Sequence, residues 1–193
     1  MLICEQVIHL MKKSELALAP KLFQKSVVKY LHDSNFDPKY PWVVELDPTT
    51  ACNLACPDCI SGTLLGQGGF SSQRFLAIVD ELIEAGIRAV VLIGGGEPMM
   101  HIAIGEAIEK FGKAGVDIGI TTNGLFLEKY KNIIGQYVSW TRISVDAATD
   151  NLYKIVRPDH RGESRLQEVF NNIESLTQLD SRKGIVGYSY CFL

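Results

Sequence analysis

The chain has 193 residues, 47% of them hydrophobic and 21% charged, which is enough apolar material for one buried core and too much for a disordered polymer. A formal net charge of −3 gives no general attraction to nucleic acid or acidic membrane, and no apolar run reaches the length of a transmembrane helix. Glu5 and His9 interrupt the first hydrophobic residues and Lys12 and Lys13 follow them, the wrong order for a secretory signal; five cysteines, an odd count without disulfide-rich character, point to a reducing, cytoplasmic setting.

Residues 2 to 32 read as helical in two pieces. Pro20 opens the second, whose apolar positions Phe23, Val27, Val28 and Leu31 recur at helical spacing. Asn35, Pro38 and Pro41 mark a linker over 33 to 41. The chain therefore divides into an N-terminal helical extension with its linker, residues 1 to 41, and an α/β unit, residues 42 to 193.

Within that unit, β-rich runs alternate with helical ones. Strands are expected at about 43 to 47, 89 to 93, 116 to 121, 140 to 145 and 185 to 192. The first intervening helix is capped by Ser71 or Ser72, carries the stripe Phe75, Leu76, Val79, Leu82 and Ile83, and stops at Gly86. Further helices are expected over 101 to 114, 125 to 135, 149 to 156 and 164 to 179, the one over 149 to 156 ending before Pro158. Alternation of this kind predicts a parallel sheet with right-handed crossovers, either open or curled into a barrel.

The loop after the first strand contains Cys52, Cys56 and Cys59 in a CxxxCxxC spacing. Three thiolates so close in sequence can hold a cubane iron-sulfur cluster by three of its four irons and leave the fourth for a ligand. A structural zinc site wants four ligands, commonly in two separated pairs, and no second pair follows. A thioredoxin-type pair would use only Cys56 and Cys59 and leave Cys52 idle. Spacing alone leaves the cluster, zinc and three inert thiols open.

The segments just past the first four strands are polar: the cysteine loop, Gly94-Gly95-Gly96-Glu97-Pro98, Thr121-Thr122-Asn123-Gly124 and Ser144-Val145-Asp146. In a parallel α/β sheet these share the carboxyl rim, where helix N-termini and free backbone groups receive ligands. The glycines allow a ligand close to the main chain, and Glu97 offers an acceptor to a cationic amine.

Taken together, Cys52-x3-Cys56-x2-Cys59, Gly95-Gly96-Glu97-Pro98, Thr121-Thr122-Asn123-Gly124 and Ile143-Ser144-Val145-Asp146 with Arg157 downstream resemble the radical S-adenosylmethionine (SAM) superfamily, in particular its molybdopterin-biosynthesis and peptide-maturation branch. The likeness covers residues 42 to about 192. It implies a partial parallel (β/α) barrel of about five strands, and an enzyme that reductively cleaves SAM at a [4Fe-4S] cluster to generate a 5′-deoxyadenosyl radical. By this resemblance Cys52, Cys56 and Cys59 ligate the cluster, and Gly95, Gly96, Glu97 and Pro98 receive the methionine amine. Ser144 and Arg157 hold its carboxylate, while Thr122, Asn123 and Asp146 touch ribose or methionine.

The resemblance further implies a small-molecule or peptide substrate and a reductase such as flavodoxin or ferredoxin. Asp58 stands where the family usually places an aromatic residue over the adenine. The family core normally continues past the point where this sequence stops, so a truncated barrel is expected, with an exposed fifth strand (Ile185, Val186, Tyr188, Tyr190, Phe192) covered by an oligomer or a missing C-terminal segment. Cys191 reads as filling core space. A non-catalytic iron-sulfur protein and a zinc-stabilised interaction domain are the alternative readings.

Overall fold

The computed structural model describes residues 40–190. The helices expected over 2 to 32, most of the linker, Cys4, Cys191 and Phe192 lie outside the described residues. Five parallel strands, β1 (Val43–Leu46), β2 (Ala89–Leu92), β3 (Asp117–Thr122), β4 (Val138–Ser144) and β5 (Ile185–Ser189), lie side by side in chain order. The helices are α1 (Ser72–Glu84), α2 (Ile104–Lys113), α3 (Leu127–Tyr137), α4 (Asp150–Val156) and α5 (Leu166–Thr177).

A strand order that never reverses makes every right-handed crossover turn the same way, so the helices collect on one face. That is the wall of a barrel, whereas a doubly wound sheet reverses and carries helices on both faces. The core lies between sheet and helices. Val90, Leu92, Ile118, Ile120 and Ile143 pack there against Phe75 and Val79 of α1, Ile108 and Phe111 of α2 and Val169 of α5. Burial of Phe75 or Val79, each fully enclosed, contributes about 1.5–3 kcal/mol.

Local signals explain the element ends. Ser71 caps α1 by accepting the Arg74 N–H at 3.2 Å, and Gly86, with φ +77°, takes the left-handed turn beyond the helix. Thr149 caps α4 by accepting the Leu152 N–H.

The fourth strand begins at Val138 rather than near 140, because α3 runs into it with no intervening loop. Val138 pairs with Ile118, but the next partners are Trp140 and Gly119, so Ser139 is an extra residue at a bulge. The bulge decides which side chains meet the helices. With simple alternation from the core residue Val138, Trp140 and Arg142 would face inward to the helices; with it, Thr141 and Ile143 do, and both are buried. Trp140 crosses to the other face and lies over Gly119, where a Cβ would collide with the indole ring.

β5 pairs with β4 from Trp140↔Ile185 to Ser144↔Ser189. Ile185 and Tyr188 are 74% and 70% exposed on this outer strand, whereas Val186, expected to share the exposed edge, packs against the core. No helix among the described residues is long and apolar enough to cross a membrane.

Candidate functional site at the carboxyl rim

Asp47 lies just past β1 and shapes the turn into the cysteine loop. Its carboxylate accepts the N–H of Thr49 at 3.3 Å and the N–H of Gly95 from the next loop, while Thr49 Oγ1 accepts the Ala51 N–H at 3.1 Å. The chain is thereby turned across the rim. Cys52, Cys56 and Cys59 are free thiols, each half-buried. Between them Leu54 inserts fully into the core and anchors the loop, whereas Ile60 and Leu64 further along it are exposed.

A second segment straps this loop from outside. After α4, Pro158 accepts the Ala55 N–H at 2.7 Å, Asp159 bridges to Leu54, and His160 Nε2 lies 2.9 Å from the carbonyl oxygen of Cys52. A carbonyl only accepts, so the imidazole is the donor there. Sequence reasoning missed Asp47, Leu54 and Pro158 to His160. Leu54, apolar between two candidate ligands, was the one available signal; His160 is 108 residues from its partner, and no local pattern links them.

The glycine run packs on the same loop. A Cβ on Gly96 would strike the carbonyl of Ala51, and Glu97 N–H donates to that carbonyl at 2.8 Å. A Cβ on Gly94 would come within 2.7 Å of Asp47 Oδ1. The close approach that these glycines permit is therefore to the protein's own cysteine loop.

Glu97, which could have been a solvated first-turn acid, is 2% exposed. Its carboxylate accepts three donors: Met99 N–H at 3.1 Å, Thr122 Oγ1 at 2.8 Å and Asn123 N–H at 2.7 Å. Burial raises its pKa above the ordinary carboxylate value, and the three hydrogen bonds only partly oppose that effect. Asn123 continues the chain of contacts, donating from Nδ2 to Asn53 Oδ1 at 2.6 Å, with Cys52 Sγ at 4.0 Å. Three loops are thus tied together through Glu97 and Asn123.

The fourth loop contributes an ion pair. Asp146 has φ +55°, the only non-glycine residue in the left-handed region among those described, and its carboxylate pairs with Arg157, both side chains being 15% exposed. Arg157 is thus anchored, with Nε enclosed and without an acceptor, and the hydroxyl of the fully buried Tyr153 lies against its guanidinium. Ser144 is half-buried on β4. Burial is also the main cause that raises the Cys52 and Cys56 thiols; the Leu54 N–H opposes it at Cys52 and Arg157 opposes it at Cys56.

The residues fit a cluster better than a single ion. Among the described residues no three His, Cys, Asp or Glu side chains converge as a metal ion would need, whereas thiolates that each take a different iron need not share a centre. Arg157 Nε, enclosed and without an acceptor, adds a donor in the neighbourhood of Cys56, with the Tyr153 hydroxyl against the same guanidinium. Of the residues expected to receive SAM, Gly95, Gly96, Glu97, Pro98, Thr122, Asn123, Ser144, Asp146 and Arg157 all stand at this rim, but Glu97 and Asp146 have their carboxylates engaged by protein donors.

The sequence profile of the Radical SAM superfamily matches residues 46–190. An S-adenosylmethionine-dependent nucleotide dehydratase of Flammeovirga pacifica is 31% identical over 112 residues, 54% of this chain and 38% of its own length. A GTP 3′,8-cyclase of Synechocystis sp. is 30% identical over 141 residues, 70% of this chain and 40% of its own. The chain thus spans about two fifths of the length of the curated relatives it matches. Among solved structures, SuiB of Streptococcus suis bound to its precursor peptide SuiA superposes with a TM-score of 0.65 at 17% identity, covering 86% of this chain and 36% of that one; at such identity the likeness is one of fold.

Proposed function

The chain belongs to the radical SAM superfamily, and we propose that residues 42 to 193 form the SAM-cleaving core of an enzyme that abstracts hydrogen from a small-molecule or peptide substrate, with residues 1 to 41 outside that core. The observation that carries this reading is the joining of the three-cysteine loop, the Glu97 loop and the Asn123 loop into one hydrogen-bonded unit at the strands' carboxyl ends. Nucleotide-acting names among the sequence relatives and a peptide-bound structural neighbour support both substrate classes.

In this reading Cys52, Cys56 and Cys59 would hold a [4Fe-4S] cluster, and the backbone of Gly95 to Pro98 with Ser144 and Arg157 would hold SAM. When bound and reduced by a flavodoxin- or ferredoxin-like donor, such a cluster supplies the electron that splits the sulfonium of SAM and so delivers radical hydrogen abstraction. The protein's part is orientation. Glu97 fixes the loop carbonyls that face a ligand amine, because its own carboxylate is filled by Met99, Thr122 and Asn123. Asp146 holds the Arg157 guanidinium in place, leaving its remaining donors for a carboxylate. Thr122 and Asn123 reach the ligand through the same turn.

Anaerobic reconstitution with iron and sulfide, then dithionite and SAM, tests the proposal. Close to four irons per chain, broad visible absorbance and release of 5′-deoxyadenosine are expected. A cluster with SAM bound and no 5′-deoxyadenosine would leave a passive iron-sulfur protein, and stoichiometric zinc in oxygen-free material would leave an interaction domain.

A further inference from the structure

The bulge at Ser139 places a polar lane on the face of the sheet turned away from the helices. Trp140, Arg142 and Ser144 follow one another along β4, with Gly119 and Thr121 of β3 as lateral partners of the first two and Gly187 of β5 beside Arg142. Three donors in this lane are enclosed without a partner among the described residues: Trp140 Nε1, Arg142 Nε and Thr121 Oγ1. The Arg142 side chain takes no part in the hydrogen bonds and ion pairs among the described residues, although those of most other arginines do: Arg74, Arg157, Arg165 and Arg182 each hold an oxygen.

An enclosed guanidinium nitrogen without an acceptor is costly unless a ligand supplies one. Open space adjoins Arg142 on the β5 side, since a Cβ built on its lateral partner Gly187 would meet nothing within 4 Å. Arg142 also stands two residues below Ser144, about 7 Å along the strand from the rim. A group held there would leave the rest of its molecule free to extend toward Ser144 at the rim.

We propose that Arg142 binds an oxyanion, the phosphate or carboxylate of a small substrate, with Thr121 Oγ1 and Trp140 Nε1 as flanking donors and the indole as a wall. The guanidinium fork matches either anion by two parallel hydrogen bonds. This assignment rests on the reading of the chain as a radical SAM enzyme and specifies the substrate class for that same site.

The test uses the full chain, loaded anaerobically with cluster and SAM, titrated by calorimetry with GTP, guanosine and succinate. GTP or succinate is expected to bind at least about tenfold more tightly than uncharged guanosine, and the arm that binds identifies phosphate or carboxylate. Arg142→Gln should weaken that probe by about 10- to 100-fold, the loss of a charge-assisted hydrogen bond, and Arg142→Lys should restore part of it. Equal binding of the probe by wild type and Arg142→Gln, or no binding of GTP and succinate to wild type at millimolar concentration, overturns the assignment. Should the glutamine variant fail to fold, the wild-type preference for a charged probe over guanosine decides. Iron content and SAM affinity are measured on the same samples: if wild type acquires neither, the functional reading itself fails, whereas normal iron and SAM with no oxyanion binding removes only the role of Arg142.

Discussion

Glu97 and Asn123, 26 residues apart, are joined by a 2.7 Å hydrogen bond from the Asn123 N–H to a carboxylate with almost no exposure to solvent. Glu97→Gln puts an amide N–H where one of three donors now finds an acceptor. Fold stability should fall by about 1–3 kcal/mol, the cost of an unpaired buried donor, and SAM should bind more weakly while iron content stays near that of wild type. Urea unfolding and equilibrium dialysis measure the two effects; an unchanged urea midpoint would show that the carboxylate does not join the loops.

Cys59 is half-buried in the cysteine loop and contributes nothing to the core, whereas Leu54 does. Cys59→Ala should therefore lose cluster iron while keeping near-wild-type circular dichroism. Full iron content in that variant would remove Cys59 from the ligand set.

Arg157 and Asp146 form an ion pair of which only 15% of either side chain is exposed. Breaking a pair so enclosed leaves one uncompensated charge, at about 3–5 kcal/mol. Asp146→Ala adds left-handed strain, since Asp146 sits at φ +55°, while Asn tolerates that conformation better. Denaturant midpoints should thus fall in the order wild type, Asp146→Asn, Asp146→Ala. An alanine variant as stable as the asparagine one would show that the backbone conformation carries no strain.

Gly96→Ala forces a methyl group against the Ala51 carbonyl, so the cysteine loop must shift. Reconstituted iron should drop well below that of a Gly187→Ala control, whose added methyl meets only open space. Equal iron in the two variants would mean that the two loops do not depend on one another.

Burial raises the Cys52 and Cys56 thiols, so in metal-free protein they stay protonated to higher pH than a free cysteine. Thiolate is both the nucleophile and the metal ligand, which gives the sign: alkylation of these two is slower than that of a free thiol near neutrality and keeps rising with pH after the free thiol has levelled off. Metal uptake must displace the same protons and should strengthen with pH and release acid. Mass-resolved iodoacetamide rates across pH check the first point, and proton release during reconstitution the second.

The strands, the helices and the polar residues of the rim were legible because they depend on local periodicity and on the alternation of β and α. The bulge was not: Val138 to Ser144 alternates apolar and polar residues acceptably in either register, and only packing of Thr141 and Ile143 against the helices chooses. Glu97 announced a ligand acceptor beside glycines, but its three partners come from its own turn and from a strand end 25 and 26 residues away. Arg142 was not legible as a special residue, since nothing local tells a strand arginine whose Nε is enclosed without an acceptor from one that is fully solvated.

The strap from Pro158 to His160 has a consequence for how the molecule is made. At translation speeds of about 5–20 residues per second, the 108 residues between Cys52 and His160 take about 5 to 20 s to synthesise. Throughout that interval the thiols have emerged without the segment that will hold their loop, open to oxygen and to stray metal, so the shape of the cysteine loop is completed only after α4 has been made.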